Sequence, residues 1–285
     1  MSTLDRRLNA FRPDLADARL KGQVEAARFV SGTPAAVSVP VADVHSVPDA
    51  ASGVDTQFLC GDTVLVFEER DGWAWTQADR DGYVGYVRQE AIAPGISEPT
   101  HVVCVQRSFV YPTAELKSPP LTAHSMGARL AVTGETEERG TRYALLASGG
   151  AMIARHLRPL GRPAVDFVSV AEEFLHAPYL WGGVSGFGID CSGLVQLALF
   201  MAGREVPRDT DMQAEGLGVP VREGAPLGRG DLVFWRGHVA IMLDSEQVIH
   251  ANGFTMTVSR EPLAGAVRRI EPLYGPPVGI RRLGS

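Results

Sequence analysis

The chain has few cysteines, no block of like charge and no long apolar run, and each absence excludes a class of protein. Its three cysteines, Cys60, Cys104 and Cys191, are an odd number without CxxC spacing, which argues against a disulfide framework and a zinc knuckle. The 33 acidic and 27 basic residues are interspersed and give a formal net charge of -6, so nucleic acid is not an expected partner.

The lack of long apolar runs also bears on membranes and secretion. Residues 1–30 carry charges throughout, so they contain no apolar stretch of signal-peptide length. The longest later apolar run, residues 194–202, is far shorter than the ~20 residues that a membrane-spanning helix needs. We therefore expect a cytoplasmic protein without a membrane partner, and free thiols suit that reducing compartment.

The first half of the chain is rich in alternating, β-forming sequence. A length of 285 residues favours two or three domains, and residues 1–34 are predicted to be a helical or extended segment before the first of them. Within residues 35–96, strand-like runs are separated by the hairpin dipeptides Asp71-Gly72 and Asp81-Gly82. This pattern predicts a small β-barrel.

A fainter copy of that pattern follows over residues 97–161. Its strand-like runs are residues 127–132, 143–146 and 151–154, and they predict a second small barrel. The alternative is one larger β-sandwich without internal symmetry, in which the order of the strands would be similar.

The pattern changes after Pro163, where a new domain is predicted over residues 162–285. Residues 165–175 have helical spacing, and an apolar helix is predicted over residues 192–202, ended by Gly203. Strand-like runs separated by polar turns occupy the second half of the domain. A helix followed by antiparallel strands indicates an α+β domain.

Cys191 is the best candidate for a nucleophile. It follows Asp190, a plausible N-cap of the apolar helix, so its thiol would face the positive end of the helix dipole. A helix N-terminus and a nearby imidazolium can lower the pKa of a thiol into the range where it ionises at neutral pH, although Asp190 opposes this. Cys60 and Cys104 lie in apolar, strand-like sequence and are interpreted as core residues.

Two histidines could complete a catalytic group with Cys191. His238 opens an apolar strand and His250 ends the next one, so antiparallel pairing could bring the imidazoles together. His238 would then be the general base and His250 the residue that orients it. A zinc site with the same three residues as ligands is the alternative.

Four short motifs resemble those of the NlpC/p60 superfamily of papain-like cysteine peptidases. They are residues 178–183 (PYLWGG), 190–195 (DCSGLV), 230–234 (GDLVF) and 238–241 (HVAI). The resemblance implies a papain-like fold for the last domain, a Cys191–His238–His250 triad, and neither a metal nor a cofactor. It also implies that the two preceding β units are bacterial SH3-like modules.

Family members of this three-domain, unsecreted kind resemble γ-D-glutamyl-L-diamino acid endopeptidases of murein peptide recycling. The resemblance implies that the partner is a small murein peptide with a free L-Ala amino group, cleaved through a thioester, and that Tyr179 helps to stabilise the oxyanion. Alternatives on the same scaffold are an amidase or acyltransferase, a broader murein endopeptidase, and a catalytically inert peptide-binding module.

Recognition of the free amine is expected to need an acidic, polar pocket. The resemblance implies that Asp190, Ser192 and Thr210 contribute from the catalytic domain. The candidates from the first β module are Asp55, Tyr83 and Tyr86. The alternative interpretation of these three residues is structural. Asp55 would be a turn residue, and Tyr83 and Tyr86 would be hairpin aromatics that pack across strands. Arg208 and Arg236 are interpreted as surface residues that could bind substrate carboxylates.

Overall fold

The computed structural model describes residues 4–95 and 98–284. The chain divides into two compact units, Met1–Leu160 and Gly161–Ser285. The expected boundary between residues 96 and 97 lies outside the described residues, as do the first three residues of the expected N-terminal segment and residue 285. Of the helices in the described ranges, none is long and apolar enough to cross a membrane.

The described residues in the first part of unit 1 form nine strands. They are β1 (Leu15–Asp17), β2 (Arg28–Val30), β3 (Thr33–Val37), β4 (Val41–Val44), β5 (Thr56–Leu59), β6 (Thr63–Arg70), β7 (Trp73–Ala78), β8 (Val84–Arg88) and β9 (Ile92–Ala93). The sheets are β8-β7-β6-β3-β9 and two pairs, β4-β5 and the parallel β1-β2. The described residues before β3 are mainly extended, with one 3-10 turn at Ala18–Leu20, and β3 begins before the expected boundary at residue 35.

The hairpin between β6 and β7 forms where the sequence signal predicts it. Asp71 and Gly72 have φ angles of 51° and 78°, the left-handed pair that a two-residue type I′ turn requires. Alternation along the strands then directs a set of apolar side chains inward, and these form one core. Its members include Val37, Val44, Phe58, Val64 and Val87.

The second part of unit 1 has its own strands and its own core. The strands are β10 (His101–Val103), β11 (Arg107–Tyr111), β12 (Thr122–Ser125), β13 (Arg129–Leu130), β14 (Val132–Glu138), β15 (Thr141–Leu146), β16 (Ala151–Ile153) and β17 (Leu157–Pro159). They form sheets in the orders β12-β11-β16-β15-β14 and β13-β10-β17. Val103, Val110, Leu146 and Met152 belong to this core, against which Cys60 also packs.

Over residues 161–284, unit 2 combines four helices with a six-stranded sheet in the order β20-β25-β21-β22-β23-β24. The helices are α1 (Phe167–Glu172), α2 (Cys191–Met201), α3 (Thr210–Gly216) and α4 (Leu263–Tyr274). The strands are β18 (Val184–Ser185), β19 (Gly188–Ile189), β20 (Val219–Pro220), β21 (Leu232–Trp235), β22 (His238–Met242), β23 (Gln247–Asn252), β24 (Thr257–Pro262) and β25 (Gly279–Arg282).

Helix α2 lies in the interior of unit 2, and its sequence explains why. Every residue of CSGLVQLALFM except Phe200 is buried, so the helix is apolar on nearly all sides. It packs on β22 and β23, whereas α4 contributes Ala266 and Ile270 to the core that covers the sheet. The sheet therefore places the start of β22 beside the N-terminus of α2.

Candidate active site

Asp190 caps helix α2 and joins it to the preceding glycine loop. Its carboxylate accepts hydrogen bonds from the backbone N–H groups of Gly193, at 2.7 Å, and Gly182, at 2.9 Å. The predicted N-cap is thereby confirmed, and Cys191 is the first residue of the helix. The thiol is thus presented at a rigid helix terminus.

Asp190 also forms a buried ion pair with Arg208. The guanidinium approaches the two carboxylate oxygens at 2.6 and 3.1 Å and donates to the Ser192 hydroxyl at 2.7 Å. Arg208 is only 1% exposed, so its interpretation as a surface residue for substrate carboxylates is wrong. The carboxylate already has a cation from its own chain, which keeps its charge from being isolated in the interior.

The thiol of Cys191 lies between α3 and the start of β22. Its Sγ atom is 3.9 Å from the hydroxyl of Thr210 and 4.0 Å from the carbonyl oxygen of Gly237, the residue before His238. The structure thus brings Thr210, the beginning of β22 and Cys191 together.

The expected lowering of the thiol pKa is wrong for this conformation. Burial, assisted by the charge of Asp190, raises the pKa of Cys191 to about 11, although hydrogen bonds from the Val239 backbone and the Thr210 hydroxyl act in the opposite direction. The free-energy cost of removing the thiolate from water is larger than the stabilisation that these two hydrogen bonds give it. Cys191 is therefore a neutral thiol at rest.

His238 and His250 form a hydrogen-bonded pair, as antiparallel pairing of their strands predicts. His238 Nε2 is 2.8 Å from His250 Nδ1. Burial, followed by the charges of His250 and Arg269, lowers the pKa of His238 to about 3, while Glu261 opposes this shift. A neutral imidazole at neutral pH can accept a proton from the thiol.

The hydrogen bonds of the histidine pair extend to Glu261 and Arg269, two residues that the sequence analysis missed. His250 Nε2 is 2.8 Å from a carboxylate oxygen of Glu261, and Arg269 on α4 donates to the same oxygen. Glu261 stands in β24 within the polar run SREP, which looks like an ordinary solvated strand edge. The sequence analysis predicted neither strand β24 nor helix α4, so no signal pointed to Glu261 or to Arg269.

Tyr179 lies in the same environment as Cys191. Burial raises the pKa of its hydroxyl, and the charges of Cys191 and Asp190 raise it further. The phenol therefore stays protonated and can donate a hydrogen bond. Backbone pairing with Ile189 holds the tyrosine next to the strand that leads into Asp190.

The three candidates in unit 1 have different surroundings. Tyr83 is 5% exposed and belongs to the core of the first β part, which supports the packing interpretation. The hydroxyl of Tyr86 accepts a hydrogen bond from Arg12 at 2.7 Å, and its ring stacks with Trp75. Asp55 precedes β5 and donates its backbone N–H to Val44.

The zinc alternative does not fit the donor atoms. Across residues 4–95 and 98–284, no group of three or more His, Cys, Asp or Glu side chains is placed to hold a metal ion. Both ring nitrogens of His250 have partners, His238 and Glu261. A zinc ligand needs a free imidazole lone pair, and this arrangement leaves none on His250.

Two family models match this chain. Residues 176–269 match the NlpC/P60 family, and residues 44–92 match the bacterial dipeptidyl-peptidase SH3 domain. The first range contains Cys191, His238 and His250. The chain is thus a cysteine peptidase that joins an SH3-like domain to an NlpC/P60 domain.

Similar proteins extend the likeness over most of the chain. A γ-D-glutamyl-L-lysine dipeptidyl-peptidase of Bacillus cereus is 27% identical over 242 residues, covering 75% of this chain and 72% of the relative. Dipeptidyl-peptidase 6 of Lysinibacillus sphaericus is 25% identical over 240 residues, covering 76% and 87%. A solved NlpC/P60 family protein from Bacillus cereus has the same fold, with a TM-score of 0.72 at 23% identity over 88% of this chain and 99% of the other.

Proposed function

We propose that this chain hydrolyses the bond between the γ-carbonyl of D-Glu and the following L-diamino acid in small murein peptides that carry a free N-terminal L-Ala. The observation that carries the proposal is the thiol of Cys191, held at the start of α2 beside the strand that begins with His238 and its partner His250. The names of the relatives supply the substrate class.

The reaction proceeds in two steps. His238 takes the proton of the Cys191 thiol as the sulfur attacks the γ-carbonyl carbon, and the protonated imidazole then gives this proton to the departing amine. Water hydrolyses the resulting thioester with His238 again as base. Tyr179 and backbone N–H groups at the start of α2 donate to the oxyanion. No cofactor takes part.

The free amine of the substrate is bound by polar groups near the nucleophile. Ser192 and Thr210 offer hydroxyls, and Asp190 offers a carboxylate whose charge Arg208 already shares. From the first β module, Asp55, Tyr83 and Tyr86 remain our candidates for the same task. Asp55→Asn and Tyr86→Phe are expected to raise KM for free-amine peptides more than they lower kcat.

At the level of domains, we propose two SH3-like barrels over residues 35–96 and 97–161, a papain-like domain over 162–285 and a preceding segment over 1–34. The two separate apolar cores of unit 1 support two barrels over one sandwich. The central helix that carries Cys191 and packs on an antiparallel sheet supports the papain-like arrangement.

We also propose that the enzyme works in the cytoplasm, on peptides released by wall turnover. Three thiols without a disulfide among the described residues support a reducing compartment. Recognition of a free amine supports small, already processed peptides as substrates. Cell fractionation followed by immunodetection tests the location, and recovery of the protein in the periplasmic or extracellular fraction contradicts it.

The test compares the intact protein with Cys191→Ala on two substrates. L-Ala-γ-D-Glu-diaminopimelate and its N-acetylated form are incubated with each protein, and products are followed by mass spectrometry. We expect L-Ala-γ-D-Glu from the free-amine peptide and the intact protein alone. Cleavage of both peptides would contradict amine recognition, acyl transfer products would indicate the transferase alternative, and no cleavage of either would contradict the proposed substrate.

A further inference from the structure

The hydrogen bonds of the two histidines extend to a carboxylate inside unit 2. His250 has a fully buried side chain, and its Nε2 atom is 2.8 Å from Glu261 on the neighbouring strand β24. His250 pairs directly with Ser259, so Glu261 is its diagonal neighbour on the same face of the sheet. Arg269 holds the same carboxylate oxygen, and its guanidinium lies 4.7 Å from the centre of the Phe254 ring.

These contacts determine where the protons of both imidazoles lie. An ionised carboxylate only accepts hydrogen bonds, so a His250 ring that holds a single proton must carry it on Nε2, facing Glu261. His250 Nδ1 is then a lone pair and can only accept from His238 Nε2. His238 consequently carries its proton on Nε2 and has an unprotonated Nδ1. That nitrogen is the one left to act as base.

We propose that Glu261, held by Arg269, is a positioning residue of this active site: it fixes the tautomers of His250 and His238 so that His238 presents an unprotonated Nδ1 to Cys191. The inference rests on the proposed function of the triad and adds to it a residue that acts through His250. Without the carboxylate, His250 can place its proton on Nδ1 instead. His238 would then turn a protonated nitrogen toward the thiol.

The charges around Glu261 agree with this role. His250 on β23 and Arg269 on α4 both lower the pKa of Glu261 through their hydrogen bonds, so it stays ionised at neutral pH. The groups that influence the charge of His238 are His250, Arg269 and Glu261 itself, and of these Glu261 alone favours the imidazolium. Glu261 thus also stabilises the charge that forms on His238 during attack.

The direct test reads the tautomers by NMR. Protein with ¹⁵N-labelled histidine is compared with its Glu261→Ala and Glu261→Gln variants in long-range ¹H–¹⁵N spectra at neutral pH, with His238 and His250 assigned through their own Gln variants. We expect protons on Nε2 of both rings in the intact protein and a shift toward Nδ1 in Glu261→Ala. Glu261→Gln should retain much of the original pattern, because its amide oxygen can accept the same hydrogen bond.

Kinetics on the murein tripeptide give a second readout. In Glu261→Ala we expect kcat to fall about 10- to 100-fold, by analogy with the loss when the hydrogen-bond partner that orients a metal-binding histidine is removed, with KM changed much less. Glu261→Gln should recover most of the loss. The matched control is Arg260→Gln. Arg260 is exposed, lies on the same strand as Glu261 and pairs with Glu172, so this substitution should change neither the tautomers nor kcat.

A substrate-independent assay separates this inference from the proposed function. The rate at which iodoacetamide alkylates Cys191 is followed by peptide mapping, and it should fall several-fold in Glu261→Ala while thermal unfolding shows that the variant is folded. If no murein peptide is cleaved but tautomers and alkylation change, the proposed function fails and the positioning role stands. Unchanged tautomers in a folded Glu261→Ala protein would overturn the positioning role, whatever the substrate.

Discussion

At Cys191, two local effects oppose each other. The helix N-terminus and the donors around the sulfur favour a thiolate, but removal of the thiol from water disfavours it more strongly, and the pKa rises. His238 next to it stays neutral for the same reason. Proton transfer from thiol to imidazole therefore belongs to the attack step, when the substrate brings its own polar groups into the site.

This neutral resting state predicts an unusual pH dependence of thiol reactivity. Because only the thiolate reacts, alkylation of Cys191 by iodoacetamide in the substrate-free protein should keep rising about tenfold per pH unit past pH 8.5, toward the raised pKa of about 11. N-acetylcysteine, measured alongside, should level off earlier. A Cys191 rate that becomes constant below pH 8 would show that a thiolate–imidazolium pair already exists at rest.

The Asp190–Arg208 pair is a buried ion pair, and removal of one partner should reduce stability. Arg208→Met leaves the Asp190 carboxylate buried without its cation, and we expect a loss of about 3–5 kcal/mol in the free energy of unfolding. Arg229→Met is the matched control, because Arg229 is 40% exposed and pairs with Asp166 at the surface; it should cost at most about 1 kcal/mol.

Urea unfolding of both variants checks this expectation. Adding Asp190→Asn to Arg208→Met removes the unpaired buried charge. The double variant should recover part of the lost free energy of unfolding, since the penalty comes from the unpaired carboxylate. Equal, small losses in Arg208→Met and Arg229→Met would contradict the buried pair as a determinant of stability.

At the scale of elements, the start of α2 depends on close contact between backbones. A Cβ atom on Gly193 would lie 2.3 Å from the carbonyl oxygen of Gly183, so Gly193→Ala must push the glycine loop away from the helix that carries Cys191. We expect lower stability and a large loss of activity. This is the reverse of the usual gain of up to about 1 kcal/mol when a helical glycine becomes alanine.

Gly216→Ala is the control for that substitution. Gly216 is also helical, at the end of α3, and an added Cβ would meet nothing within 4 Å. It should leave activity unchanged and keep or slightly raise the melting temperature. Thermal unfolding and peptide cleavage are measured on both variants. Similar melting temperatures and activities for Gly193→Ala and Gly216→Ala would contradict the importance of the close backbone contact between Gly183 and Gly193.

Not all elements of unit 2 were equally predictable. Helix α2 and strands β21 to β23 follow from the apolar run and the alternating runs of the sequence, and they occur close to the expected positions. Helix α4 was not predicted, because its sequence LAGAVRRIEPLY contains a glycine and a proline within a short amphipathic stretch. It supplies Arg269, so this part of the site was missed with it.

At the scale of the whole chain, the division into two units predicts a protease-sensitive linker segment between them. Residues 159–163 are exposed, and the side chain of Val165 is fully exposed, whereas buried cores lie on both sides in the sequence. Mild thermolysin treatment should cut first before Val165, giving fragments that mass spectrometry can assign. First cuts outside residues 159–165 would contradict this division of the chain.

The sequence by itself determined the β-rich first unit, the helix with Cys191 at its start and the two histidine strands. These features follow from periodicity, turn dipeptides and capping residues, which act between neighbours along the chain. Only the tertiary structure decided that Arg208 is buried against Asp190, that Glu261 and Arg269 extend the histidine pair, and that burial outweighs the helix terminus at Cys191. Each of these depends on which distant groups meet in space and how far water is excluded there, and local patterns do not encode that.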